Sequence, residues 1–258
     1  MSAFNALGYL ANEPERVGCA LHELRGTLKA PPGARGFGLA HYVDDQLLLN
    51  LKPADVPAGT ALEEIVGALK TTTFLCNFHS AADEGPFKFR SWSFALRGGQ
   101  PNHAVMTELL AHLPDSIQRN ITGDSMGEAV FHRFLAILAE DSRLEDSTIA
   151  PKVLDAALKK TLEILGGQKV LMMVDNGRLL AGIHNGGGLA YNLRESILAC
   201  QRCALDTHAM DSFPLRESHR RFKGVMLVGG FESPPPGFLP VPAKQTVVVT
   251  RKLEVLLQ

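Results

Sequence analysis

Several places in this sequence hold residue types that could do chemistry. Two residues separate Cys200 from Cys203, with His208 and His219 beyond them. Thiolates and imidazoles in such an order can begin a zinc site. A closed site needs four ligands and the second pair is loosely spaced, so the expectation is a plain cysteine pair and no metal. Ser2 becomes terminal once Met1 is removed, and a terminal hydroxyl beside its own α-amine can act as a nucleophile. Arg216, His219, Arg220, Arg221 and Lys223 form a basic cluster, which reads as a solvated loop rather than a site for an acidic partner. His79 and Arg97 flank the middle of the stretch 71–100. An arginine fork suits a carboxylate or phosphate; the plainer alternative is that the pair fills and solvates a cleft. Gly98 and Gly99 follow Arg97, and bare backbone there lets the chain turn sharply and a ligand approach closely.

The elements that position these groups follow from periodicity. Residues 72–78 are β-branched and aromatic, and 92–96 alternate large and small, so both read as strands. Gly85-Pro86 closes the polar loop between them. They read as two adjacent central strands, the floor of a binding cleft. Before them come a strand at 4–10, a helix at 13–24 with Pro14 in its first turn, and a hairpin of 36–42 with 46–51 turning at Asp44-Asp45. Thr60 with Glu63 spells a capping box ahead of a further helix. After them, helices are expected at 103–112, 124–140 and 150–165. Asn176-Gly177 joins strands 169–175 and 178–183 in a hairpin. Short strands at 189–191, 225–229, 238–241 and 246–250 complete the chain. Hairpin-joined strands around a block of helices argue for two antiparallel sheets with helices outside them, not a parallel wind.

Composition sets limits. With 45% hydrophobic and 21% charged residues, the 258-residue chain can bury a large core, and one domain over 1–258 is expected. A net charge of −1 gives no field to attract nucleic acid. No apolar run reaches the roughly 20 residues of a membrane span. Four scattered cysteines and no signal-peptide pattern point to a cytoplasmic protein.

Taken in order, several segments resemble those of the class II glutamine amidotransferases, N-terminal-nucleophile hydrolases, and most of all the small stand-alone type. Leu7-Gly8-Tyr9 looks like the end of the family's first strand. Gly36-Phe37-Gly38-Leu39-Ala40 looks like its Asp-Gly-Trp-Gly segment. Pro86-Phe87 followed by Trp92-Ser93-Phe94-Ala95 looks like its His-Pro-Phe and Trp-x-Phe-Ala. Gly98 resembles the glycine of its His-Asn-Gly, and Glu128-Ala129-Val130-Phe131 its Thr-Asp-Ser-Glu helix start. The resemblance implies an α+β fold, a four-layer αββα sandwich of two antiparallel sheets. His184-Asn185-Gly186 also spells the tripeptide, but two strands too late, and reads as a glycine-rich turn.

The resemblance breaks where the chemistry would be. The family's nucleophile is an N-terminal Cys; the register of Leu7-Gly8-Tyr9 puts Phe4 there, with three residues ahead of it. The arginine that grips the substrate carboxylate falls on His79 and the following threonine on Ala82. The oxyanion asparagine falls on Arg97, the aspartate that holds the substrate amine on Met126, and the aspartate ahead of Gly-Trp-Gly on Arg35. One lost oxyanion donor costs on the order of 10² to 10³ in rate, and a lost nucleophile on the order of 10⁶. The implied protein has no glutaminase activity and no cofactor. Its cleft is remodelled: Phe4 and Met126 partly fill it, and His79 and Arg97 sit at the rim beside Gly98. It would act by binding other proteins, as a regulatory or scaffolding component. The family self-associates often, which implies a homodimer. The alternatives are an amide or γ-glutamyl hydrolase using Ser2, and a small-anion sensor using the cleft. Ser2 lies two residues before Phe4, about 6–7 Å further along the strand.

Overall fold

The computed structural model describes residues 4–52, 56–79, 85–100, 102–141, 144–146, 148–205 and 213–258. Ser2, Ala82 and His208 lie outside them.

Thirteen described strands form two sheets. The first contains β1 (Ala6–Ala11), β2 (Gly36–Val43), β3 (Gln46–Lys52), β4 (Thr73–His79), β9 (Leu189–Arg194), β10 (Gly224–Gly229) and β11 (Leu239–Pro240). The second contains β5 (Phe87–Phe89), β6 (Trp92–Gly98), β7 (Val170–Asp175), β8 (Leu180–Asn185), β12 (Val247–Val249) and β13 (Val255–Leu257). Their orders are β11-β9-β10-β1-β4-β2-β3 and β13-β12-β8-β7-β6-β5. All the strand pairings are antiparallel.

Each sheet is covered on both faces, which is why the central strands read as nearly continuous apolar runs. In β1, Ala6 and Leu10 face the second sheet, while Leu7, Tyr9 and Ala11 face outward. The outward face of the first sheet packs under α1 (Val17–His22), α2 (Leu62–Val66) and α7 (Phe213–Arg220). The outer face of the second sheet packs under α3 (His103–Leu110), α4 (Asp115–Gln118), α5 (Met126–Asp141) and α6 (Pro151–Ile164). Trp92 is buried in this helix-side core; its Nε1–H donates to the Leu144 carbonyl at 2.9 Å and its ring meets Phe134 edge-on. A third core, with Ala40, Leu75, Ala95 and Met173, lies between the sheets. The result is the expected four-layer αββα sandwich. No helix among the described residues is long and apolar enough to cross a membrane.

The local turn chemistry accounts for the hairpins. Asp44 and Asp45 take φ of 48° and 62°, the two positive values a type I′ turn needs. At Asn176-Gly177 the Asn176 Oδ1 accepts the N–H of Arg178 and of Leu179, and Gly177 has φ 85°.

Other expectations differ from the structure. β4 and β6 are not neighbours; they lie in different sheets and face each other across the sandwich. The three-residue β5, too short to show alternation, takes the place beside β6. The Thr60 capping box does not form: Ala61 is the N-cap of α2, and the Thr60 hydroxyl donates to the Pro57 carbonyl. The helix expected at 13–24 is a 3-10 turn, Pro14–Arg16, followed by the six-residue α1. The basic cluster is only partly a loop: Arg216, His219 and Arg220 lie on α7, with His219 buried, and Arg221 and Lys223 stand in the connection to β10.

Candidate functional site

A cleft of about 740 Å³ opens at one end of the sandwich, between the sheets. Five segments meet there. Asn5 stands just before β1, and Gly230, Phe231, Glu232 and Ser233 follow β10. Arg97 and Gly98 end β6, Lys169 precedes β7, and Gly186 and Gly187 belong to the crossing from β8 in one sheet to β9 in the other. Hydrogen bonds fix these ends to one another. Asn5 donates its Nδ2–H to the Gly230 carbonyl at 2.9 Å, and its backbone N–H to Gly229 at 2.9 Å. The Gly230 N–H donates to the Gly187 and Gly188 carbonyls at 3.1 Å, and the Gly99 N–H to the Lys169 carbonyl at 2.9 Å. Gly98 sits at φ 78°, and a Cβ there would stand 2.3 Å from the Lys169 carbonyl oxygen. The position therefore requires glycine both for its conformation and for its space.

Of the residues expected at a remodelled cleft, Arg97 and Gly98 line it. Arg97 shares the inward face of β6 with Ala95. His79 shares the inward face of β4 with Leu75, so both side chains are directed to the space between the sheets. His79 is buried, and neither ring nitrogen has a hydrogen-bond partner among the described residues. Phe4 and Met126 stand elsewhere than the cleft lining. Phe4 is fully buried in the outer core of the first sheet, edge-on to Phe78 at 5.6 Å between centroids. Met126 opens α5 and belongs to the helix-side core; its Cε lies 2.9 Å from where a Cβ on Gly99 would be. Asn5, Lys169 and Glu232 were not visible as site residues in the sequence, because each comes from a different segment and none belongs to a motif.

No family model and no curated protein matches this sequence. Solved structures match it over nearly its whole length. A predicted glutamine amidotransferase from Pseudomonas aeruginosa superposes with a TM-score of 0.58 at 14% identity, over 98% of this chain and 100% of that one. A glutamine aminotransferase class-II domain protein from Silicibacter pomeroyi gives 0.54 at 12%, over 98% of each chain. Glutamine phosphoribosylpyrophosphate amidotransferase from B. subtilis gives 0.53 at 15%, over 98% of this chain and 48% of that one. The chain has the class II glutamine amidotransferase fold. At these identities the likeness is one of fold.

Within that fold, His184 and Asn185 of the tripeptide end β8 and are not part of a turn; the glycine-rich turn expected there begins at Gly186, at the cleft's edge. His184 Nε2–H donates to the Val241 carbonyl at 2.9 Å, and its Nδ1 accepts the Gly188 N–H at 3.1 Å, so both ring nitrogens are engaged. The Asn185 amide donates to the Gln168 carbonyl at 3.1 Å. Gly186 and Gly187 still line the cleft.

Three of the four cysteines lie toward the other end of the first sheet. Cys200 and Cys203 meet Cys19 of α1 and His219 of α7. The Sγ atoms of Cys19 and Cys203 are 3.5 Å apart. Burial, then the hydrogen bond with Cys203, pushes the Cys19 thiol up to about 12. Burial likewise raises Cys200, opposed by the Cys203 backbone N–H. The sequence pointed to His219 beside Cys200 and Cys203 but not to Cys19, which no short spacing connects to them; in place of a plain pair the structure brings four such residues together.

Proposed function

We propose that this is a glutamine amidotransferase-like protein with its catalytic residues replaced, which acts by binding other proteins as a regulatory or scaffolding component. The observation that carries this reading is Phe4. A phenyl ring fully buried against Phe78 at the head of β1 offers neither a nucleophile nor room for one. Among the described residues that line the cleft there is no thiol and no imidazole, and Ser233 carries the one hydroxyl. Binding is supported by the edges of the first sheet. Leu48 and Leu51 on edge strand β3 are exposed, as are Leu239 on edge strand β11 and Leu193 on its neighbour β9. Edge strands offer backbone hydrogen-bonding groups, and exposed apolar side chains beside them favour association.

The test is affinity purification from the native cell with mass spectrometry of what co-purifies, beside an ammonia-release assay on glutamine and γ-glutamyl amides. Partners in near-stoichiometric amount and no ammonia release are expected. Recovery as a lone monomer removes the binding reading. Turnover abolished by Ser2→Ala replaces it with a Ser2 hydrolase.

A second reading rests on Arg97 and Lys169. Two cations in one cleft, beside the backbone of Gly98, Gly186 and Gly187, favour a small carboxylate or phosphate as ligand.

A further inference from the structure

We propose that Cys19, Cys200, Cys203 and His219 bind one zinc ion, as a closed Cys3His site that ties three segments to the outer face of the first sheet. The chain has four cysteines, and three of them converge here, Cys19 meeting the Cys200–Cys203 pair across 184 residues. Each residue offers one ligand atom, and the ligand atoms all lie within 4.8 Å of one another. A tetrahedral zinc with Zn–S of about 2.3 Å and Zn–N of about 2.0 Å holds its ligand atoms roughly 3.5–3.8 Å apart. The 3.5 Å between the Cys19 and Cys203 sulfurs already matches that spacing.

His219 is the independent sign of a ligand. It is 1% exposed. Its Nδ1–H donates to the Leu215 carbonyl at 2.7 Å, which leaves the lone pair on Nε2. That Nε2 is buried and has no hydrogen-bond partner among the described residues. A buried nitrogen without a partner is costly. A metal-bound histidine has this arrangement: one nitrogen fixed by a backbone carbonyl, the other aimed at the ion.

The surroundings hold the ligands in place without the ion. Cys200 and Leu205 exchange both backbone hydrogen bonds at 3.0 Å, and Ala204 between them takes φ 51°, which folds the Cys200–Cys203 segment into a tight knuckle. Arg202, inside that knuckle, donates to the Glu63 carboxylate and to the Gly67 carbonyl. Glu63 also pairs with His22 at 2.8 Å, so the knuckle is tied to both α1 and α2. On binding, the three thiols release their protons to solvent, and the ion with its ligands carries one net negative charge. Arg16 is a nearby cation; its Nε–H donates to Ser218, next to His219, at 2.9 Å.

Three thiolates and one imidazole suit zinc over the hard cations. Four protein ligands leave no open position, so the ion is structural, not catalytic.

The test uses the untagged full chain, purified under reducing conditions without chelator. About one zinc per chain by elemental analysis is expected. Cobalt exchanged into the same protein should show thiolate charge-transfer absorption and the intense visible bands of a tetrahedral ion. Cys203→Ser and His219→Gln should lose most of the zinc, and Cys76→Ala should keep it. Because the wild-type metal content and the cobalt spectrum need no variant, the proposal stays testable if a variant fails to fold. Wild-type protein that holds less than about a tenth of an equivalent and takes up no tetrahedral cobalt overturns the site. A Cys19–Cys203 disulfide found by mass spectrometry of the unreduced protein, again without metal, also overturns it.

Discussion

The Thr73 hydroxyl lies 2.6 Å from the Asp175 Oδ2 and joins β4 of one sheet to the end of β7 in the other. The same hydroxyl lies 2.8 Å from the Tyr9 carbonyl oxygen. A hydroxyl has one proton and cannot donate to both. A protonated Asp175 resolves the conflict: its Oδ2–H donates to Thr73, Thr73 donates to Tyr9, and Oδ1 accepts the Gly177 N–H at 2.8 Å. Asp175 is fully buried, and burial raises it to about 7, against the Gly177 N–H, which favours the charged form.

This makes stability depend on pH in a definite direction. The unfolded carboxyl titrates near 3.8 and the folded one near 7. Between those values the folded chain holds a proton that the unfolded chain has lost. Stability therefore falls as pH rises through that window, by up to about 1.4 kcal/mol per pH unit, and levels off above it. Asp175→Asn copies the protonated form, with its amide N–H to Thr73 and its oxygen to Gly177. Urea unfolding at pH 5 and pH 8 should show the variant gaining on the wild type by a few kcal/mol at the higher pH. An equal wild-type-to-variant difference at both pH values refutes the protonated assignment.

Gly38 in β2 runs under the Gly85-Pro86 turn. A Cβ at Gly38 would stand 2.2 Å from the Pro86 Cδ and 2.5 Å from the Gly85 carbonyl oxygen, and neither atom ends a flexible side chain. Overpacking of this kind costs about 1–3 kcal/mol, so Gly38→Ala should lower the melting temperature by roughly 3–10 °C. Gly26→Ala is the control, since nothing lies within 4 Å of its Cβ; it should shift stability by less than about 0.5 kcal/mol. Calorimetry of the two variants decides it, and equal melting temperatures would show the turn to be yielding.

Much of the fold was legible because its signals are local. Asp44-Asp45 and Asn176-Gly177 are turn chemistry, and the buried strands β1, β4 and β7 are apolar runs. Partnership between distant strands has no local signal, which is why β4 and β6 read as neighbours although they lie in opposite sheets. α7 was hidden by its polarity: PLRESHR shows no broad apolar stripe, yet it buries His219. At the cleft, Arg97-Gly98 stood out as a cation on bare backbone, whereas Asn5 and Lys169 reach it only through the meeting of strand ends. Cys19 and Cys203 touch across 184 residues, a distance no spacing motif spans.

Phe4 should act as a core residue. It is fully buried and packs against Phe78, which in turn meets Phe37 at 6.4 Å. Phe4→Ala should cost about 3–5 kcal/mol, the usual loss for a buried phenylalanine, while Phe4→Leu should cost less. Denaturant midpoints of both variants measure this. A cost below about 1 kcal/mol for Phe4→Ala would mean that the ring lies in an open, yielding cavity, and the case against a nucleophile at this position would lose its support.

The cleft's charges make the last prediction. Arg97 and Lys169 contribute two positive charges and Glu232 one negative charge, so the lining carries a net positive charge. Arg97 offers a planar fork and Lys169 a mobile point charge. A bound carboxylate or phosphate would draw a charge-assisted hydrogen bond from each, worth roughly 1.5–3 kcal/mol. Removing one of these charges by Arg97→Gln or Lys169→Gln should therefore weaken binding of glutamate or inorganic phosphate by about 10- to 100-fold, and Glu232→Gln should strengthen it. Binding should also weaken as salt is raised from 50 to 300 mM, since an open cleft is screened. Titration calorimetry with both anions reads all of these effects. Heats that are absent in the wild type, or unchanged in Arg97→Gln and Lys169→Gln alike, would leave the cleft without an anion to bind.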